Sequence, residues 1–348
     1  MADKSLGMRG AKPRRPVIRE VAQHAGVAVS SVSRVISGHP DVSDKMRERV
    51  LRAIEELGYV PDLAAQSIRT GATMTIGFPL SDIRNPLFSE IAHAAETRLE
   101  KRGYSLLMMS SLHDPDLEVE HLRRLQQRRV DGLLVSVTDE QHPETVRQLT
   151  AAGVPIVLVD RDIPELADAS AARFDHATGL TAAVEHLVAL GHRSIGLVNG
   201  SPTVRPSRER ARALREIASA APDLRVQVVS GDFSSEHGAK QTYNLMSRPD
   251  RPTALIAGSN QILVGVLSAL AELPVEVPRD VSLVTCDEVP MAAFVRPRLA
   301  TIRRDVQEIG RLSADLLLAA LDGQPARTVQ LPTTFEPADS CTAPPTAT

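Results

Sequence analysis

Ser30, Ser31 and Arg34 stand in the run VIREVAQHAGVAVSSVSRVIS (residues 17–37), whose apolar positions recur at helical spacing. A short hydroxyl can approach a base edge closely, and an arginine can fork onto guanine O6 and N7 with ~1–3 kcal/mol of discrimination. Val32 and Ile36 mark the inward stripe of this segment, so the three polar side chains point outward. Two more residues sit where chemistry concentrates in α/β chains. Arg208 follows a strand candidate at 194–199, and Asp287 ends another at 282–286; ligands of parallel sheets lie beyond the carboxyl ends of their strands. Other signals are missing from the sequence. It contains no HExxH, no G-x-S-x-G elbow, no GxxxxGK and no GxGxxG, and its ten histidines are scattered. We therefore expect no enzyme, no metal site and no cofactor. His186 and His192 are expected to be structural, and Cys286 and Cys341, which lack metal-ligand spacing, are expected to be structural or incidental.

These residues need elements to hold them. Ile18, Val21, Ala22 and Ala25 predict a first helix that Gly26 ends, and a second begins near Ala28 with Val32, Val35 and Ile36 turned inward. Helix, Ala-Gly-Val turn and helix have the spacing of a helix-turn-helix. A third helix follows Ser43, a suitable N-cap, with Met46, Val50, Ala53, Ile54 and Leu57 as its stripe. Residues 62–69 form a short helical candidate that needs a partner to become ordered. From Met74 onward, strand candidates at 75–80, 105–110, 132–137, 155–160, 194–199, 226–230, 253–258 and 282–286 alternate with amphipathic helices. This is the pattern of parallel sheets with right-handed crossovers. Eight strands suggest two sheets, with a βα barrel as the alternative. Asn85-Pro86 is a cap followed by a first-turn proline, which makes 81–88 a strand-to-helix loop over the cleft between the sheets.

A chain of 348 residues that is 43% hydrophobic and 24% charged has a globular composition and room for two or three domains. The formal net charge of −3 is unevenly spread. Residues 1–70 carry 12 Lys and Arg against 8 Asp and Glu, whereas the remainder carries 28 against 35. A basic head on an acidic body is where a phosphate backbone would dock. Residues 1–16 look like a flexible basic arm. No stretch approaches the ~20 apolar residues of a membrane span, and the start lacks a secretory apolar segment, so a cytoplasmic protein without a membrane partner is expected.

The motifs VAQHAGVAVSSVSRVISG and VSDKMRERVLRAIEELGYVPDLAAQSIRTG, followed by TIGFPLSDIRNPLF, EHLVALGHRSIGLV, SRERA, VPRDVSLVTCDE and PRLATIRRD, resemble the lactose-repressor (LacI/GalR) family of bacterial transcription regulators. The resemblance runs from residue 17 to about 335. It implies a multidomain chain with an all-α helix-turn-helix headpiece (17–60), a hinge helix (61–71) and an α/β periplasmic-binding-protein-like core of two doubly wound parallel-sheet lobes. The lobes are expected at 72–172 with 306–323 and at 173–305 with 324–340, before a tail at 341–348. The implied partners are a pseudo-palindromic double-stranded DNA operator, a carbohydrate-like effector and a second copy of the chain. Val29, Ser30, Ser31, Arg34, Tyr59, Ala65 and Ile68 would meet DNA, the last as a wedge in the minor groove. Ser81, Phe88, Arg208, Ser259, Asn260 and Asp287 would meet the effector, with Arg donating to hydroxyls and Asp accepting from them. Phe174 is a further stacking candidate. Val17 and Ala28 replace capping hydroxyls, Ile68 replaces a leucine, and Asp62 replaces an asparagine beside phosphate; these departures predict weaker or more salt-sensitive binding. Because 337–348 has no leucine heptads, a homodimer is the expected assembly. Two alternatives stay open: a phosphorylated metabolite, nucleobase or protein as co-effector, for which Arg205, Arg208 and Arg210 would suit an anion, and a sugar-binding module that acts without DNA.

Overall fold

Val21, Ala22 and Ala25 of α1 (Ile18–Ala25), Val32 and Val35 of α2 (Val29–Ile36) and Val50 and Ala53 of α3 (Asp44–Leu57) close one small core. This computed structural model describes residues 16–36, 39–60, 71–287, 294 and 296–345. The chain divides into two units, residues 1–73 and 74–348.

In the first unit, α1 begins without a capping hydroxyl, since Val17 stands at its N-cap; the Glu20 carboxylate accepts from the Val17 N–H instead, at 3.0 Å. Gly26 ends the helix at φ 62°, a left-handed conformation that glycine adopts without steric cost. The Arg49 guanidinium donates to the Ala25 and Gly26 carbonyls at 2.5 and 3.2 Å, satisfying groups the helix end leaves open. Ser43 occupies the N-cap of α3 as its sequence predicts, but its side chain makes no capping hydrogen bond.

The second unit carries eleven strands among the described residues. They are β1 (Thr75–Leu80), β2 (Ser105–Ser110), β3 (Gly132–Val135), β4 (Ile156–Val159), β5 (Ser170–Asp175), β6 (Ser194–Asn199), β7 (Arg225–Ser230), β8 (Ala254–Ala257), β9 (Ser282–Cys286), β10 (Ala300–Arg304) and β11 (Thr328–Glu336). The helices between them are α4 (Pro86–Glu100), α5 (Pro115–Gln127), α6 (Pro143–Thr150), α7 (His176–Ala189), α8 (Arg205–Ala220), α9 (Ser235–Met246), α10 (Asn260–Glu272) and α11 (Val306–Leu321). Neighbouring strands follow the order β2-β1-β3-β4-β5-β11-β10-β9-β8-β6-β7.

Three strands escaped the sequence reading. β5, β10 and β11 mix apolar residues with Arg, Asp, Gln and Thr, so no continuous apolar run marks them. The two expected sheets are also continuous through β11. Its first half, Thr328 to Pro332, runs parallel to β5, and its second half, Thr333 to Glu336, runs antiparallel to β10. Pro332 stands at the changeover, where a residue with no N–H costs no ladder bond.

Helices cover both faces of each half. Ile76, Phe78 and Leu80 of β1 pack with Ile91 and Leu99 of α4 and Leu317 of α11, whereas Leu133 and Val135 of β3 turn the other way, to Leu122 and Leu125 of α5. In the other half, Ile195 and Leu197 of β6 meet Leu180 and Leu187 of α7, and Val198 meets Ile262 and Val266 of α10. A Cβ at Gly310 of α11 would lie 2.4 Å from the Ile91 carbonyl, so a bulkier residue there would wedge α11 from α4. His192 holds the end of the chain: its ring lies 2.9 Å from the Thr342 carbonyl and 2.8 Å from the Thr253 hydroxyl. His186 leans on Phe335 at 5.3 Å, and Cys286 and Cys341 are free thiols.

Candidate functional site

Two surfaces are candidates. On α2, Val29, Ser30 and Arg34 are exposed and Ser31 is half-buried, while Val32 and Val35 are sealed inside. The helical period turns one face of the segment inward and leaves the hydroxyls and the guanidinium outward. Tyr59, expected at DNA, is half-buried against the three-helix core. Ala65 and Ile68, together with Asp62, lie outside the described residues.

In the second unit, a cleft opens where the strands of both halves end. Ser81 follows β1, Asp160 and Arg161 follow β4, Ser259 follows β8, Asp287 follows β9 and Arg304 ends β10; Phe88, Phe174 and Arg210 are also on the wall. Four of the expected effector residues therefore line one cavity: Ser81, Phe88, Ser259 and Asp287. Ser259 also caps α10 by accepting from the Ile262 N–H, and Asn85 caps α4 by accepting from Leu87. Phe88 and Phe174 belong to the packed core as well as to the wall.

Two expected residues sit elsewhere. Arg208 is outside the wall, and its Nη2 donates to Glu140 Oε2 at 2.6 Å. Two residues along a helix is a rotation of roughly 200°, so Arg210 takes the face toward the cavity that the sequence reading gave to Arg208. Asn260 is buried behind the wall, and its Nδ2 donates to Asn85 Oδ1 at 2.8 Å, joining the two halves.

The floor of the cavity is a charge network. Arg304 donates to Asp287 through Nε at 2.6 Å and to Asp160 through Nη1 at 3.3 Å, and its guanidinium lies 5.1 Å over the Phe174 ring. Asp160 also accepts from Arg205 at 3.2 Å and pairs with His176 Nε2 at 3.0 Å. Burial would raise the pKa of Asp160, but His176, Arg304 and Arg205 together hold it well below the usual carboxylate range. Burial pushes the pKa of His176 down to about 4 against the pull of Asp160, so the ring is neutral. Asp160 and Asp287 both hold left-handed backbone, at φ 52° and 88°. Aspartate tolerates this region better than most residues, and such strain concentrates at functional sites.

Sequence reasoning missed Asp160, Arg161, Glu140, His176 and Arg304. A signal existed for three of them. Asp160 and Arg161 end a strand just as Asp287 does, and Arg304 belongs to PRLATIRRD. Glu140 and His176 are recognisable only through the buried partners that the fold brings to them. Among the described residues no group of three His, Cys, Asp or Glu is placed to hold a metal ion.

Residues 17–62 match the family described as bacterial regulatory proteins, lacI family, and residues 184–341 match the periplasmic binding protein-like domain. The ribose operon repressor of Escherichia coli (strain K12) is 32% identical over 305 residues, covering 86% of this chain and 92% of the repressor. The chain belongs to the lacI family of bacterial regulatory proteins. A second relative, the HTH-type transcriptional repressor PurR of Aliivibrio salmonicida, is 30% identical and covers 86% of this chain and 91% of its own. The Lac repressor dimer bound to operator and the anti-inducer ONPF matches 95% of this lacI-family chain and all of its own, at 27% identity and a TM-score of 0.83. A LacI family transcriptional regulator from Enterococcus faecium with bound ribose matches 77% of this chain and 99% of its own, at 26% identity and a TM-score of 0.68. The protein is a DNA-binding transcription regulator of this family, with a helix-turn-helix domain and a two-lobed α/β domain. No helix among the described residues is long and apolar enough to cross a membrane.

Proposed function

We propose that this lacI-family protein is a cytoplasmic, homodimeric repressor that catalyses no reaction. In this reading α2 enters the major groove of a pseudo-palindromic operator, with Val29, Ser30, Ser31 and Arg34 facing the bases, and a small sugar-like effector binds between the lobes. Ser81, Phe88, Ser259 and Asp287 contact the effector, joined by Asp160, Arg161, Arg210 and Arg304. The observation that carries the reading is the strained, charge-paired cavity at the strand ends of both lobes, on the same chain as a helix whose outer face is Ser30 and Arg34. Ligand and operator communicate when the two lobe poses bind DNA with different affinity. The relatives support it: the E. coli protein is named for a ribose operon, the E. faecium regulator holds ribose, and the Lac repressor was seen as a dimer on operator.

The test is fluorescence anisotropy of the purified full chain on a labelled palindromic duplex, with random duplex as competitor at moderate salt. We expect preferential binding that changes when an effector is added. Equal affinity for palindromic and random duplexes would overturn the proposal.

A further inference from the structure

The turn between α1 and α2 closes part of itself through its own backbone. The Gly26 N–H donates to the Gln23 carbonyl at 3.2 Å and the Val27 N–H to the Ala22 carbonyl at 3.0 Å. The next two carbonyls, of Ala25 and Gly26, take a donor from a different helix, Arg49 Nη2 of α3, at 2.5 and 3.2 Å. A charged donor on such carbonyls makes a stronger bond than a neutral one and meets the negative end of the α1 dipole. Packing holds α3 in the phase this needs: Val50, next to Arg49, is fully buried, and Ala53, one turn on, is buried as well. A second tie joins the same two helices, with His24 Nε2 of α1 lying 2.5 Å from Glu56 Oε2 of α3. Arg49 reaches further, past the end of α1 and onto the turn from which α2 departs.

We propose that Arg49 is a positioning residue for sequence recognition: by holding the Ala25 and Gly26 carbonyls it sets the point and direction in which α2 leaves α1, and so where Ser30 and Arg34 meet the bases. This rests on α2 being the operator-reading helix. Burial of Val32 and Val35 fixes which face of α2 turns inward, but apolar contact is non-directional and leaves the tilt of an eight-residue helix to its anchored end. Arg34 stands five residues beyond Val29, about 7.5 Å along the axis, so a tilt of about 10° displaces it by about 1.3 Å. The useful range of an N–H···O distance is only about 0.5 Å wide. Contacts to phosphate, which orient the protein without reading sequence, are sequence-independent. Loss of the clamp therefore falls on discrimination between sequences and not on affinity for DNA in general. The turn also leaves the guanidinium its room: Gly26 is left-handed, and a Cβ there would lie 2.9 Å from Arg49 Nη2.

The full chain is used to enrich a palindromic duplex from a random-sequence pool, and fluorescence anisotropy then gives affinities for that duplex and for random duplex across a salt series. In Arg49→Met we expect the ratio of the two affinities to fall about five- to tenfold, roughly the worth of one hydrogen bond. Affinity for random duplex, its salt slope and the circular dichroism spectrum stay those of the parent. Arg49→Lys keeps a charged donor and recovers part of the ratio. Arg52 borders the same surface groove, so Arg52→Met removes an equal charge while leaving the clamp, and its ratio stays that of the parent. Gly26→Ala sets a methyl group against the guanidinium; it lowers the ratio in the parent and lowers it much less in the Arg49→Met background. An unchanged ratio in folded Arg49→Met, or an equal fall in Arg52→Met, overturns the proposal. Equal weakening on both duplexes, with a salt slope shallower by about one, makes Arg49 a phosphate contact and overturns it too. So does a fall accompanied by lost helical signal with Gly26→Ala effects that simply add, which is the mark of general support of the fold. A parent chain that enriches no duplex overturns the operator reading together with this inference, whereas a parent and an Arg49→Met variant that discriminate equally overturn the inference alone.

Discussion

Glu140, in the loop after β3, accepts a 2.6 Å hydrogen bond from Arg208 on α8, and this contact ties one lobe to the other. The same carboxylate accepts from the Arg205 backbone N–H at 2.8 Å, and the Glu140 N–H donates to the Thr203 carbonyl at 3.3 Å. Burial raises the pKa of Glu140 against the pull of Arg161, so it depends on these donors to stay ionised. Arg208→Met should loosen closure without touching a ligand contact, weakening effector affinity by roughly 1–2 kcal/mol, about the worth of one charge-assisted bond. Calorimetry checks this; unchanged affinity would make the tie incidental.

Arg304 neutralises two carboxylates at once. In Arg304→Met, Asp160 and Asp287 lose that shared cation, and the second unit should lose about 3–5 kcal/mol of stability, as when one partner of a buried pair is removed. Urea unfolding at neutral pH measures the loss. Adding Asp287→Asn should restore part of it, because the two positions are coupled.

The pH profile of stability should show two opposed contributions. His176 has a folded pKa of about 4, below the ordinary histidine value of 6.5, so the stability it contributes is present above 6.5 and fades as pH falls toward 4. Glu118 is buried, and burial lifts its pKa from 4.5 to about 7 against the hydrogen bond from the Thr138 N–H, so its contribution is full below 4.5 and fades as pH rises through 7. Between about pH 4.5 and 6.5 the slopes oppose one another. Glu118→Gln keeps an acceptor for Thr138 and should unmask a stability that climbs with pH across that window, read by thermal melts in matched buffers. A flat profile in the variant would contradict the assignment to His176.

Arg34→Ala should cost ~1–3 kcal/mol of preference for the palindromic duplex if Arg34 reads a guanine. Competition with random duplex at constant salt separates that loss from a general weakening of phosphate contacts. A variant that loses affinity for both duplexes equally would place Arg34 on the backbone.

Much of the second unit was legible because apolar runs and helix-start residues are local signals. Asn85-Pro86 announces α4, and the β1 run TIGFPL announces a buried strand. β11 was not legible, since TVQLPTTFE buries Thr333 alone of its nine side chains. In the first unit the stripe of α2 fixed which way Ser30 and Arg34 point. The cavity was legible by the rule of strand ends, which found Asp287. Choosing Arg210 over Arg208 required knowing the phase of α8 against the cleft, and that phase depends on distant packing. His176 and Glu140 acquire meaning only from Asp160, Arg205 and Arg208, which are far from them in sequence.

The path of β11 and α11 bears on how this polypeptide emerges from a ribosome. The lobe made first, around β1 to β5, receives α11 and the parallel neighbour of β5 only after the intervening lobe has been synthesised. Until then the face of α4 that packs on Gly310 is uncovered and β5 presents an open edge, the kind of surface that invites association with other chains. Nascent chains truncated before residue 306 should therefore engage chaperones more than chains released after residue 336.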